Sequence, residues 1–285
     1  MINQLTIIGV GLIGGSLALA LKKAGYCKKI VGIGRNAQRL DAARNAGVID
    51  RGETDYAAGI KDADVILIAT PLDTYRAVFG EIKTCIDSDT VITDAGSAKG
   101  CVISDAMAVF GKIPANLVPG HPIAGNEKSG YEASIADLYQ NRRVVLTPAA
   151  DSSPQAVEKV KMMWQAAGAR VEITDAEHHD RVLAATSHLP HLLAFGLVDS
   201  LARQPDGEEM FRFAAGGFRD FTRIAASDPV MWRDICLRNR DAVLSALENY
   251  ENDLTDLHAA IKNGDSETLV QIFSRAKQAR DRFNY

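Results

Sequence analysis

Leu5-Thr6-Ile7-Ile8-Gly9-Val10-Gly11-Leu12-Ile13-Gly14 is a short apolar run that breaks into glycines spaced G-x-G-x-x-G and continues into a helical pattern. The run predicts a buried strand, and the glycines predict the turn that carries it into a helix. Gly9 permits the tight turn, Gly11 lets a pyrophosphate approach the backbone, and Gly14 lets helix and strand pack closely, while the helix N-terminus faces the phosphate charge. Gly9, Gly11, Leu12, Ile13 and Gly14 are therefore the expected dinucleotide cradle.

Further β-branched runs follow at Ile30 to Ile33, Val65 to Ala69, Thr90 to Thr93, Leu117-Val118, Val144 to Leu146 and Val171 to Ile173. Helical patterns separate them, at Leu12 to Ala24, Ala37 to Ala46, Tyr75 to Ile82 and Gln155 to Ala167. This alternation predicts an α/β domain, a Rossmann-like, mostly parallel sheet covered on both faces. After Ile173 only helical patterns remain. The expected organisation is a dinucleotide-binding domain over 1–173 and an all-helical domain over 174–285 that binds substrate and dimerises. Thr174 with Glu177 reads as a capping box opening a helix into Leu192, Pro190 should kink it, and further helices are expected near Leu201, across Met231 to Leu254 and from Glu267 to Arg282.

The composition agrees with two domains, since 285 residues exceed the roughly 150 typical of one. A net charge of -4 supplies no basic field for nucleic acid. The apolar stretch from Leu5 to Leu21 is interrupted by Gly9, Gly11, Gly14, Gly15 and Ser16 and lacks a basic leader, so neither a signal peptide nor a membrane partner is expected. Cys27, Cys85, Cys101 and Cys236 lie far apart with no CxxC spacing, which suits a reduced cytoplasm.

An acidic residue about 20 positions past the glycines usually accepts the ribose hydroxyls of NAD. Gly34 stands there instead. Arg35 follows and Arg39 lies one helical turn later, so two cations are placed to meet a 2′-phosphate, which favours NADP and leaves NAD possible. Asp50, Glu53 and Asp55 fall beyond the second strand. Thr70-Pro71 and Asp94-Ala95-Gly96-Ser97 end the next strands and should wall the cofactor crevice.

His121 follows the strand Leu117-Val118 and is held between Gly120 and Pro122, in a rigid loop at the same edge as Ser97. A neutral imidazole there can take a proton from a substrate hydroxyl, with Ser97 orienting it by a hydrogen bond. His178 and His179 open a helix beside Asp180 and read as solvent-facing or capping residues. His258 receives no role.

Around these residues the sequence resembles the prephenate and arogenate dehydrogenase family of tyrosine biosynthesis. The likeness runs through Gly9 to Gly15, Asp94 to Lys99, Gly120 to Gly125 with Glu127 and Ser129-Gly130, Ser187 to His191, Gly216 to Arg223 and Ser227 to Trp232. It implies oxidative decarboxylation of a cyclohexadienyl acid, with His121 accepting the ring hydroxyl proton and no metal required. It also implies substrate contact by His191, supported by His188. Arg223 is the expected clamp for a substrate carboxylate, because a guanidinium fork matches a carboxylate bidentately. Trp232 would support that wall and Glu127 gate access, while Arg219 and Arg233 read as surface ion pairs with Asp220 and Asp234.

Two other readings stay open at this point. A β-hydroxyacid or imine reductase would pair the same domains but needs a lysine that Asp180 to Ala185 does not offer. An NADP-binding redox sensor would need neither a proton acceptor nor a carboxylate clamp.

Overall fold

The computed structural model describes residues 1–125 and 128–283. Its first part runs β1 (Ile2–Ile8), α1 (Leu12–Lys23), β2 (Cys27–Ile33), α2 (Ala37–Asn45), β3 (Arg51–Glu53), α3 (Tyr56–Ile60), β4 (Val65–Ile68), α4 (Tyr75–Lys83), β5 (Val91–Asp94), α5 (Gly100–Phe110) and β6 (Leu117–Val118). These strands pair in parallel in the order β3-β2-β1-β4-β5-β6. That is the doubly wound order, in which ligands settle at the carboxyl ends of the strands where the order reverses. Val65 to Ile68 are wholly buried because helices cover both faces, which is why this strand reads as an unbroken apolar run.

A second unit packs on the same domain: β7 (Gly120–Pro122), β8 (Arg143–Leu146), α6 (Pro154–Ala166) and β9 (Arg170–Ile173). Here the expectation of one parallel sheet is corrected. Val144 to Leu146 and Val171 to Ile173 form a separate three-stranded sheet in which β7 runs antiparallel to β8. His121 thus lies on an edge strand opposite Val145, not in a loop. An edge place tolerates Pro122, which has no N–H to donate.

The helical part comprises α7 (Ala176–Leu183), a π-turn (Ala184–His188), α8 (Leu189–Ala202), α9 (Gly207–Arg212), α10 (Gly216–Thr222), α11 (Pro229–Arg238), α12 (Arg240–Asn263) and α13 (Ser266–Arg282). Thr174 stands one residue before the cap of α7, its amide tied to the Leu146 carbonyl. Asp175 caps it instead, accepting from the His178 amide at 2.7 Å. Pro190 acts one turn upstream of itself: it gives no N–H to Thr186 and crowds that carbonyl, and the chain absorbs this in the π-turn. The helix expected across Met231 to Leu254 breaks at Asn239, whose backbone leaves the helical region.

Candidate active site

Gly9 has φ +95, and a Cβ there would lie 2.7 Å from the Ala69 carbonyl oxygen. Only glycine fits that turn. At Gly14 a Cβ would meet Ile7 at 2.6 Å, so this glycine sets the contact of α1 with β1. Among the described residues, a Cβ at Gly11 would meet nothing within 4 Å and no side chain caps the first amides of α1. An open approach to uncapped helix amides is the physical requirement of a pyrophosphate cradle, so the residues present fit a dinucleotide. Thr70 closes on the same turn, its methyl 2.9 Å from a Gly9 Cβ, and Pro71 follows at the end of β4.

Beside the cradle, the end of β5 holds a charge that hydrophobic patterning does not predict. Lys99 and Asp94 are fully buried and paired at 2.5 Å. Lys99 Nζ also donates to the Gly120 carbonyl at 2.7 Å. Asp94 accepts from the Gly120 amide at 3.0 Å, the Gly96 amide at 2.8 Å and the Tyr75 hydroxyl at 3.2 Å. Both backbone groups of Gly120, the residue before His121, are therefore engaged by this one ion pair.

His121 itself is 9% exposed. Its Nδ1 lies 2.9 Å from Nε2 of His179, and His179 Nδ1 lies 2.8 Å from Asp180 Oδ1. The tautomers follow from the end of the chain: Asp180 accepts, so His179 donates from Nδ1 and accepts at Nε2, and His121 donates from Nδ1. The proton-accepting nitrogen of His121 is then Nε2. Burial, followed by the neighbouring His179, Lys99 and His188, holds His121 well below the ordinary imidazole range, so it is neutral at physiological pH. Burial also lowers His179, against the pull of Asp180. Although burial pushes Asp180 up, hydrogen bonds from His179 and from the Gly100 and Lys99 amides outweigh it and keep the carboxylate ionised.

This corrects two expectations. Ser97, half-buried in the turn after β5, is not the group that holds His121; His179 takes the Nδ1 position. His179 is neither a cap nor solvent-facing but 1% exposed. The missed signal is the i, i+4 spacing of Asp180 and Ala184, both buried ahead of the π-turn, which places Asp180 on the inner face.

Asn239 extends the chain. Its amide nitrogen donates to the Asp180 carbonyl at 2.9 Å and approaches His188 Nδ1 at 3.1 Å. With Nδ1 accepting, His188 carries its proton on Nε2, a buried atom without a partner among the described residues. Burial lowers His188 from 6.5 to about 4. The ring stands edge-on to Trp232, centroids 6.1 Å apart, and Trp232 stacks on His191 at 3.6 Å and 18°. Trp232 Nε1 is likewise buried and unpartnered among the described residues. His191 donates from Nδ1 to the Ser187 carbonyl at 2.8 Å, which turns Nε2 outward from its own helix. The structure thus joins His121, His188, His191 and Trp232 in one connected set. Arg223 is exposed on a short 3-10 turn, Arg223–Ala226, packed against α8. Glu127 lies outside the described residues. Arg233 is exposed and pairs with the buried Asp234 at 2.6 Å.

The family described as "Prephenate dehydrogenase, nucleotide-binding domain" matches residues 17–173, and "Prephenate dehydrogenase, dimerization domain" matches 175–275. The prephenate dehydrogenase of Bacillus subtilis is 37% identical over 99% of this chain and 76% of its own length. The cyclohexadienyl dehydrogenase of Zymomonas mobilis is 36% identical over 98% of this chain and 95% of its own. The chain belongs to the prephenate dehydrogenase family.

A crystal structure of the Aquifex aeolicus prephenate dehydrogenase, in complex with hydroxyphenyl propionate and NAD+, superposes with a TM-score of 0.92 at 37% identity, over 100% of this chain and 99% of that one. Membership makes this protein an oxidoreductase of tyrosine biosynthesis that uses a nicotinamide dinucleotide, and it removes the hydroxyacid reductase and sensor readings. The preference for NADP drawn from Arg35 and Arg39 gains no support from these likenesses. Both arginines are exposed, and Arg39 stands 3.9 Å from Glu132.

Proposed function

We propose that this prephenate dehydrogenase relative oxidises and decarboxylates prephenate and/or arogenate with His121 Nε2 as proton acceptor. The observation that carries the reading is the buried chain His121–His179–Asp180, which leaves a neutral, oriented imidazole on an edge strand tied to the carboxyl end of β5. A nicotinamide held by Gly9, Gly11, Leu12, Ile13, Gly14, Thr70 and Pro71 would supply the hydride acceptor. As the carbinol C–H electron pair leaves as hydride, His121 takes the hydroxyl proton. The electrons of the ring–carboxylate bond fall into the ring as carbon dioxide departs, and the phenolate so formed takes the proton back from His121. The positive charge on His121 in between is spread towards His179 and Asp180, groups already oriented for it.

Ser97, at the turn beside the acceptor, is assigned to the same hydroxyl. Arg223 holds a substrate carboxylate, His191 and Trp232 form the wall, His188 fixes Trp232 from behind, and Glu127 gates access. For the cofactor we favour NADP over NAD. No acidic side chain follows β2 at Gly34, and the exposed Arg39–Glu132 pair is worth little, so Arg39 is readily redirected to a 2′-phosphate.

A homodimer through the helical domain is the expected assembly. The helical run Ala176–Ala202 is long and apolar enough by length and composition to cross a membrane, and 17% of its most apolar window is buried. Its inner face carries His179, Asp180 and His188, so a second copy is the occupant that best suits its outer face. The four cysteines are unpaired thiols, which suits a reducing cytoplasm.

The test is an absorbance assay of both acids with both cofactors. Reduction of NADP that depends on either acid and releases carbon dioxide is the expected result. No turnover of either acid with either cofactor would overturn the reading, and equal or better rates with NAD would overturn the NADP preference.

A further inference from the structure

Lys99 is a lysine with no accessible surface, and burying an ammonium is tolerated only when charge and donors are both matched. Here its side chain reaches Asp94 and the Gly120 carbonyl, while its own backbone amide donates to Asp180 Oδ1 at 2.7 Å. One residue therefore touches both ends of the proton-accepting assembly. Its ammonium fixes the strand that carries His121, and its backbone fixes the carboxylate that orients His179.

We propose that Lys99, paired with Asp94, is a positioning residue that holds His121 from both sides and sets the electrostatic environment in which it accepts a proton. The inference rests on the role given to His121 above. Among the described residues, the charged and titratable groups facing that imidazole are Lys99 and Asp94 from the end of β5 and the turn after it, His179 and Asp180 from α7, and His188 from the π-turn. Lys99 is the one lysine or arginine of this set. Together with burial and His179, it keeps the resting imidazole unprotonated. A helix-capping or packing role alone would not need a charge at this place.

Three full-length variants separate tether from charge. Lys99→Met leaves Asp94 buried and unpaired and is expected to lose stability. The double variant Asp94→Asn/Lys99→Met removes both charges and is expected to fold. In that folded enzyme kcat should fall by about 10-fold or more with KM values within about 3-fold, and the acid limb of kcat/KM should move up towards the ordinary histidine range. Lys99→Gln keeps a donor for the Gly120 carbonyl but leaves the Asp94 charge uncompensated, so in the folded protein the limb should move up at least as far as in the double variant while kcat falls less.

Circular dichroism establishes which variants are folded. An unmoved acid limb and wild-type kcat in any folded variant lacking the Lys99 charge would overturn the proposal. The His121→Asn enzyme distinguishes the two levels. If it is inactive while the Lys99 variants are unaffected, only the role of Lys99 fails; if it is fully active, the reading of His121 fails with it.

Discussion

The two domains bury their apolar residues in different ways. In the nucleotide-binding domain, β1, β4 and β5 are almost wholly enclosed, and packed clusters lie against the sheet. In the helical domain α13 buries no residue, and Phe213 and Phe273 stand 79% and 59% exposed. The first is a self-contained core. The second finds cover for α7 and α11 against the first domain, where Trp232 and Ile235 join a core cluster, and leaves exposed apolar residues on its other helices. His121, the proposed proton acceptor, sits across this difference: its backbone belongs to the sheet edge, and the partner that fixes its tautomer belongs to the helical domain. The proposed chemistry therefore requires that α7 be docked, whereas the glycine cradle lies wholly within the first domain.

The largest effect that sharpens this contrast is His121→Asn. Turnover should drop by about 100-fold or more with KM little changed, because the acceptor is lost while both domains stay folded. Unchanged turnover in steady-state kinetics would break the division of labour at its centre. Arg223→Ala should act from the helical side alone, raising KM by about 10-fold with a smaller change in kcat. A pure kcat effect would place Arg223 in the chemistry and not in binding.

Stability against pH provides the third comparison. His188 is lowered from 6.5 to about 4 in the folded chain, so the unfolded chain protonates first as pH falls. The stability that the buried neutral imidazole confers is complete above 6.5 and is lost as pH drops towards about 4. The difference is on the order of 3 kcal/mol across that window. Thermal melts of wild type and His188→Asn should converge as pH falls, whereas parallel curves would mean that His188 titrates normally.

The same contrast explains what the sequence discloses. Strands enclosed on both faces must be apolar throughout, and Gly9 and Gly14 are dictated by steric contact, so the dinucleotide domain is legible from residue type and spacing. His121 is legible because glycine and proline flank it. That it lies on an antiparallel edge strand is not, since Gly120 to Pro122 is too short to show a period. His179, Asp180 and Asn239 escape for another reason. A polar residue at a helix start reads as a cap, and only the docking of α7 against Lys99 and Gly100 turns Asp180 inward. The π-turn further shifts the register between Asp180 and His188, which no helical wheel anticipates. Lys99 escapes because a lysine beginning a helix ordinarily reads as solvated.

The division between the domains turns on His179, through which the helical domain fixes the proton of the resting His121 on Nδ1. Nitrogen-15 NMR of the histidine side chains, assigned with the His121→Asn and His179→Asn variants, measures this directly. A neutral His121 protonated at Nδ1 at neutral pH, shifting to mixed tautomers when His179 is replaced, is the expected result. A His121 protonated at Nε2, or charged at neutral pH, would contradict it.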